Sequence, residues 1–320
     1  MTHTYRLYGV PTDTTFPLTS APPRTAEAPV LRIRLVPAAL PAQFRAQSRC
    51  AFRETEAGLT RRLYRHRTGR RWALQFGDLV SYLLSPDAIL CYLEDEERLR
   101  AAEIWLTGAA CSLWNELCGV PALHAAAVAV RGRGVGVLAT SQGGKSSLAA
   151  ACMEAGHPLL TDDVLMVHPA AGTIVGEPSL PQMRMWPDQA RHFLGTTAGL
   201  RRVVPHLTKR RVPVGAGGFG TFQASAVPMT HLLLPERSAT ATTVRLEPVP
   251  PQQALIELLR HSFLPRSVAA LDLSARRLPV LVSLAQQAAV YRLIYPDGVE
   301  HLPRVAAAVE ALVAGVPAAA

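Results

Sequence analysis

The chain has 320 residues, 49% hydrophobic and 18% charged, a balance that excludes a disordered protein and fits one large or two ordinary globular domains. Its formal net charge of +9 suits phosphate-rich partners, but no stripe interleaves the scattered arginines with aromatic residues, so we expect no nucleic-acid partner. Uninterrupted apolar runs stay shorter than the roughly 18 residues of a membrane span, so we expect no membrane partner.

The first hundred residues are patterned as short strands separated by Pro- and Gly-containing turns. No group of catalytic residue types stands out among them. We therefore predict a β-rich N-terminal accessory domain over residues 1–100, suited to docking a substrate. Its candidate strands are TYRLYGV, VLRIRLV, RRWALQF and AILCYLE.

A second domain is predicted over residues 101–320. A helical pattern leads into it, followed by a buried strand, a short apolar strand, a glycine-rich loop, a helix, and a strand that ends in two aspartates. This order is the one in which a P-loop is found, so we predict an α/β fold. The predicted elements are the helix 98–118, the strands 123–130 and 135–138, the helix 146–156 and the strand starting at 158.

The glycine-rich segment 139–146 reads ATSQGGKS and matches the P-loop pattern except for alanine at its first position. In such a loop backbone N–H groups cradle phosphates, the lysine neutralises them and the hydroxyl ligates Mg²⁺. If Ala139 needed a positive φ, it would cost roughly 1–2 kcal/mol. The residues predicted to bind the nucleotide are Ser141, Gln142, Gly143, Gly144, Lys145, Ser146 and Ser147, with Ser146 also a metal ligand.

Lysine usage supports this assignment. Of the 33 basic residues only Lys145 and Lys209 are lysine. A compact ammonium fits among crowded phosphate oxygens where a planar guanidinium does not. A compositional bias explains the scarcity of lysine but not its position in the P-loop.

Further polar residues near the P-loop are candidates for chemistry. Asp162 and Asp163 end a strand, where one carboxylate can hold Mg²⁺ while the other takes a proton from an attacking hydroxyl. His124 opens the strand before the P-loop strand and is either a core residue or a phosphate contact. Lys209, Arg210 and Arg211 form a basic run that is either a solvated loop or a source of positive charge for a transferred phosphoryl group. Arg184, in MRMWPD, is a weaker candidate.

The five cysteines form neither a CxxC pair nor a Cys/His metal spacing. Cys152 is predicted to be a small core residue. The N-terminal segment has no basic region followed by an apolar stretch. These features predict a cytoplasmic protein.

The segment 121–170 resembles the catalytic core of the HPr serine kinase/phosphorylase family. The resemblance rests on a histidine before the P-loop strand, the P-loop, a Gly-His turn at Gly156 and His157, and the Asp162-Asp163 pair. More widely, YRLYGV, MRMWPD, KRRVP and VYRLIYP resemble the short HPr-kinase-like proteins of bacterial biosynthetic clusters, including those that phosphorylate lasso-peptide precursors.

The resemblance implies an α/β P-loop kinase core of the HPr kinase/phosphoenolpyruvate-carboxykinase type, with ATP and Mg²⁺ as cofactors and a serine of a peptide or protein as acceptor. It implies Asp162 as the base, Asp163 as an aid to the metal, and His124 as a phosphate contact. Homo-oligomers are possible, since HPr kinases are oligomeric.

Two departures from the family pattern leave alternatives open. Ala139 replaces a glycine, and Gln182 stands where the larger enzymes carry a glutamate. A nucleotide-binding switch or degenerate kinase without transfer, and a small-molecule phosphotransferase, are therefore the alternatives to a serine kinase.

Overall fold

The structure is a computed structural model that describes residues 2–20, 24–56, 58–203 and 207–315. The backbone forms two compact units. The first consists of residues 1–120 and 264–278, and the second of residues 121–263 and 279–320. Helices and strands occur in both units, so the predicted α/β class is observed.

The first unit is built on a mixed sheet of eight strands in its described part, in the order β1-β2-β3-β8-β7-β6-β5-β4. Central strands carry apolar residues such as Leu74, Leu84 and Ile89 that are completely buried, as expected for a sheet with a covered face. The strands are β1 His3–Leu7, β2 Val10–Thr14, β3 Leu31–Val36, β4 Ser48–Glu56, β5 Leu59–His66, β6 Trp72–Phe76, β7 Val80–Leu84 and β8 Ala88–Tyr92.

A helical segment packs on this sheet and shifts the boundary between units. The Tyr82 hydroxyl donates to the carbonyl of Ala102 at 2.5 Å, and the Tyr8 hydroxyl to that of Thr107 at 2.6 Å. Because these bonds join the segment to β7 and to the turn after β1, the division falls after residue 120 rather than at the predicted 100/101. The helices here are α1 Ala42–Ala46, α2 Leu99–Trp105, a π-helical turn Leu106–Ala110, and α3 Cys111–Leu117.

The second unit is organised around two neighbouring strands, β9 (Ala122–Val130) and β10 (Arg133–Leu138). The small residues of β9 alternate between two hydrophobic cores, with Ala126 and Val128 in one and Ala125 and Ala127 in the other. The other strands of this unit are β11 Leu159–Thr161, β12 Val164–Ala170, β13 Thr173–Gly176, β14 Gln182–Met185, β15 Arg210–Pro213, β16 Val227–Ser238, β17 Arg245–Pro248 and β18 Ala289–Pro296.

The first helix of this unit, α4 (Lys145–Glu154), follows directly on the loop after β10. Its residues Leu148–Met153 are all buried, and Cys152 is 4% exposed, which confirms the prediction of a core thiol. The remaining helices are α5 Pro187–Leu194, α6 Pro251–Arg260, α7 Pro265–Ala270, α8 Ser274–Gln287 and α9 Leu302–Ala314; α7 belongs to the first unit and α8 begins there.

Parallel pairing places several strand ends at one edge of the sheet. β10 is parallel to β16, and β16 is parallel to β18. β11 and β10 are both antiparallel to β9, so β11 also runs in their direction. The carboxyl ends of β10, β11, β16 and β18 therefore share this edge, which is where ligands bind in sheets of this kind.

No helix in the described part of the chain combines the length and the hydropathy needed to cross a bilayer.

A hydrogen-bonded pair at the β12–β13 hairpin predicts a pH-dependent stability. His168 Nε2 lies 2.7 Å from Glu177 Oε1, and this hydrogen bond raises the pKa of His168 above its usual value. The folded state therefore binds the proton more tightly, so the contribution is complete below about pH 6.5 and is lost as pH rises through the folded pKa. We expect Glu177→Gln to lower the free energy of unfolding by up to about 1 kcal/mol at pH 5.5 and by less at pH 8.5. Urea unfolding at both pH values checks this, and an equal loss at both would contradict it.

Candidate active site

A cavity of about 860 Å³ opens at the shared strand edge. It lies over the glycine loop, the name used here for residues 139–144 between β10 and α4. The cavity is also lined by the acidic pair that follows β11, by the segment from β14 into α5, and by residues after β18. Six of the seven residues predicted to bind nucleotide line the cavity: Ser141, Gln142, Gly144, Lys145, Ser146 and Ser147.

The seventh residue, Gly143, is not among the described lining residues and instead packs against Ala139 within the loop. A Cβ atom on Gly143 would lie 2.7 Å from the Cβ of Ala139, so the loop closes only if this residue has no side chain. Positive φ angles fall at Gln142 (65°) and Gly144 (91°), not at Ala139. The strain considered for Ala139 is therefore absent, because its backbone is one that any residue adopts.

This geometry predicts opposite outcomes for two small substitutions. If the glycine loop binds ATP, as the sequence predicts, Ala139→Gly leaves the Kd for ATP within about twofold, because no strained φ is relieved. Gly143→Ala raises the Kd about tenfold, because the added methyl forces the loop apart. Isothermal titration with ATP measures both. A markedly tighter Ala139→Gly variant would mean that the alanine does distort the loop.

Lys145 is buried and folded back on the glycine loop. Its Nζ donates to the carbonyl oxygens of Ala139 at 2.5 Å and Thr140 at 3.0 Å. Burial lowers its pKa, while the carboxylates of Asp163 and Asp162 act in the opposite direction. The ammonium therefore sits at the floor of the cavity, held by acceptors that phosphate oxygens can replace.

Asp162 and Ser146 are neighbours in the lining of the cavity. The nearby Ser146 side chain and the Arg184 backbone N–H, which donates to Oδ2 at 2.7 Å, favour the ionised carboxylate. Burial is the larger effect and raises the pKa of Asp162. The other oxygen, Oδ1, is buried without a hydrogen-bond partner in the described residues. A hydroxyl beside a carboxylate with an unpartnered oxygen fits a Mg²⁺ ion that takes its remaining ligands from phosphate and water.

Within the described ranges, no group of three or more His, Cys, Asp or Glu side chains is placed to hold a metal ion. Mg²⁺ sites at nucleotides need no such cluster, because one or two protein oxygens and the phosphates suffice. The donor set of Ser146 and Asp162 is therefore adequate for a nucleotide-bound ion.

Asp163 is held by the Arg184 guanidinium and lies beside the His124 imidazole. Its Oδ2 accepts from the Arg184 guanidinium at 2.7 Å, and its Oδ1 lies 3.4 Å from His124 Nδ1. Burial alone would raise its pKa, but Arg184 first, then His124 and the lysines Lys209 and Lys145, hold it below the usual value. The result is an ionised carboxylate, accessible to the cavity, beside the glycine loop.

His124 lines the same part of the cavity and is half-buried. Burial lowers its pKa, although Asp163 opposes the shift. The imidazole therefore favours the neutral form near pH 7, in which one ring nitrogen can accept a hydrogen bond.

The basic run divides between the two faces of the β14–β15 ribbon. Lys209 reaches the cavity, with Nζ 5.1 Å from the centre of the Trp186 ring. Arg210 is paired with Met185, whose side chain belongs to the hydrophobic core. Cross-strand partners share a face, so the structure does not bring Arg210 to the acidic pair. Arg210 is not among the described residues that line the cavity, because side chains alternate along β15, and its site role stays a prediction.

Arg184, only a weaker candidate in the sequence, has a central position among the polar residues of the cavity. It joins both aspartates, through its backbone N–H and its guanidinium. It is the cross-strand partner of Arg211, on the face of the ribbon opposite to Met185. β14 contains one arginine and β15 contains two, and the pairing that places Arg184 opposite Arg211 could not be read from the sequence.

Gln189 links α5 to α4. Its amide nitrogen donates to the Ser147 hydroxyl at 2.6 Å, and its amide oxygen accepts from the Trp186 backbone N–H at 2.9 Å. The bond fixes the start of α5, and with it Trp186, against the first turn of α4.

No family model matches the sequence, and no curated protein matches it. Among solved structures, the chain is similar to the HPr(Ser) kinase/phosphatase from Coxiella burnetii, with 15% identity over 61% of this chain and 94% of that chain. The TM-score of 0.29 is too low for this similarity to support a fold or a function.

Proposed function

We propose that this protein is a kinase of the HPr serine kinase type, which binds ATP with Mg²⁺ and phosphorylates a serine hydroxyl of a peptide or protein. The observation that carries the proposal is one cavity at the glycine loop that is lined by Ser146, by Asp162 with its buried unpartnered Oδ1, and by a second, accessible carboxylate, Asp163. A metal ligand pair and a base next to a phosphate-binding loop are the parts that phosphoryl transfer requires.

The nucleotide part of the proposal rests on the glycine loop and Lys145. The loop precedes the N-terminus of α4, where backbone N–H groups favour anions. Lys145 exchanges its two carbonyl acceptors for the phosphate oxygens, and its charge offsets theirs.

Ser146 and Asp162 are the proposed ligands of Mg²⁺. A bound ion there supplies positive charge to the phosphate oxygens. Asp162 suits this role because its Oδ1 is buried and has no hydrogen-bond donor among the described residues, so a cation would offset its desolvation.

Asp163 is the proposed base, with the two aspartates in roles opposite to those that the resemblance implied. It is the more exposed of the two, and a base must be reached by the acceptor hydroxyl. Its lowered pKa keeps it ionised at neutral pH. Arg184 orients it, and Lys209 brings a second positive charge toward the transferred group.

The choice of a serine on a peptide rests on the resemblance of residues 121–170 to the kinase family. A ribosomally made peptide precursor, of the lasso type, is the candidate substrate. A small-molecule acceptor would need no separate docking unit. In this chain, none of the described residues of the first unit lines the cavity, which leaves that unit available for docking a peptide.

The test is incubation of the purified protein with Mg-ATP and serine-containing precursor peptides, read by intact mass and fragmentation. We expect a phosphate adduct on one serine. The adduct should be lost in Lys145→Ala and retained in Asp188→Asn, which alters an exposed carboxylate lining the same cavity. Binding of ATP that depends on Lys145, without transfer to any peptide or small alcohol, would instead favour a nucleotide-binding switch.

A further inference from the structure

The order of strands separates the cavity into two sides. β9 pairs with both β11 and β10, so it lies between them. In the same way β16 pairs with both β10 and β18 and lies between those two strands. Asp162 and Asp163 directly follow β11, the glycine loop follows β10, and Asp297 directly follows β18. The acidic pair and Asp297 therefore flank the glycine loop from opposite sides.

On the side of the cavity at the ends of β16 and β18, side chains also contact the glycine loop. Arg237 donates to the Gln142 carbonyl at 3.1 Å and lies 3.5 Å from Asp297. A Cβ on Gly144 would lie 3.0 Å from the Tyr295 hydroxyl, so the end of β18 is in close contact with the loop. This side is thus built against the phosphate-binding backbone but away from the proposed base.

We propose that residues 297–302 bind the nucleoside of the nucleotide, with the Asp297 carboxylate accepting hydrogen bonds from the ribose hydroxyls. The inference rests on the proposed function, because it places the γ-phosphate at Asp163 and so directs the rest of the nucleotide to the other side of the loop.

The chemistry of the segment fits a nucleoside better than a phosphate. A carboxylate repels phosphate oxygens, whereas a pair of ribose hydroxyls offers it two donors. Asp297 is 65% exposed in its side chain, so its oxygens remain accessible despite Arg237. Val299 lines the cavity next to it and is 44% exposed, which gives an apolar surface of the kind that a base covers.

The test compares three ligands by isothermal titration in the presence of Mg²⁺: ATP, 2′,3′-dideoxy-ATP and inorganic tripolyphosphate. In the parent protein we expect ATP to bind about tenfold more tightly than the dideoxy analogue, since two charge-assisted hydrogen bonds are lost. Asp297→Asn should weaken ATP about tenfold and leave the dideoxy analogue and tripolyphosphate unchanged. Asp188→Asn is the matched control and should leave all three unchanged.

Tripolyphosphate separates the possible failures. If it binds the parent and Asp297→Asn equally, but ATP is not weakened in the variant, the nucleoside assignment is wrong and the proposed function stands. If Asp297→Asn weakens ATP and tripolyphosphate alike, Asp297 acts on the loop through Arg237 and the assignment is also wrong. If neither ATP nor tripolyphosphate binds the parent, the proposed function itself fails, and the assignment with it.

Discussion

Replacing Lys145 with alanine should reduce phosphoryl transfer by about 10³-fold and weaken ATP binding strongly. Removal of one preorganised charge at a transferring group costs about 10²–10³ in rate, and here the same group also binds the ground-state phosphates. The ammonium is buried on the loop carbonyls of Ala139 and Thr140, so no neighbouring lysine can take its position without moving the loop. Lys145→Arg should fare little better, because the planar guanidinium is too wide for a site shaped around an ammonium.

Single-turnover transfer and ATP titration measure this effect, with thermal unfolding to establish that the variant is folded. Lys209→Ala is the matched control, since Lys209 is the other lysine and lies against Trp186 within the same cavity. It should slow transfer while leaving the Kd for ATP closer to that of the parent. A Lys145→Ala variant that binds ATP as the parent does would remove the basis for a phosphate site at the glycine loop.

The two aspartates should give different phenotypes when each is replaced with asparagine. Asp163→Asn removes the proposed base and should lower the rate of transfer by about 10²–10⁴, with Mg-ATP still bound. Asp162→Asn removes a metal ligand and should abolish the dependence of ATP affinity on Mg²⁺ concentration. The reason is their different surroundings: Asp162 faces the Ser146 hydroxyl, and Asp163 faces Arg184 and the cavity.

Titration of ATP over a range of Mg²⁺ concentrations, together with single-turnover rates, distinguishes these two roles. Asparagine keeps the shape of the side chain, so both variants should fold. If Asp163→Asn removes the Mg²⁺ dependence while Asp162→Asn leaves it intact, the roles are those implied by the family resemblance, with Asp162 as the base.

Much of the local structure could be predicted from the sequence because it depends on short-range patterns. The apolar residues around Leu123 and Val135 form the expected strands, and the segment after Gly144 forms the expected helix. The need for glycine at positions 143 and 144 also arises locally. Gly144 has a positive φ, and Gly143 approaches Ala139 too closely to carry a side chain. Turn geometry and periodicity act over a few residues, so they can be read without knowing the fold.

The polar partners of the site were decided by tertiary structure. Arg184 reaches Asp162 and Asp163 because the fold brings β14 close to the residues that follow β11, and Arg210 turns away because its cross-strand partner Met185 faces the core. Neither relation follows from spacing along the chain, since a shift of one residue in strand pairing exchanges the two faces.

The sequence alone thus determined that a loop suited to phosphate, an adjacent lysine and a pair of carboxylates follow one another in this protein. Only the tertiary structure decided that Ser146 faces Asp162, that Arg184 holds Asp163, and that Asp297 lies on the far side of the loop. The physical reason is that backbone preferences are set by neighbouring residues, whereas the surroundings of a charge are set by strands brought together from distant parts of the chain.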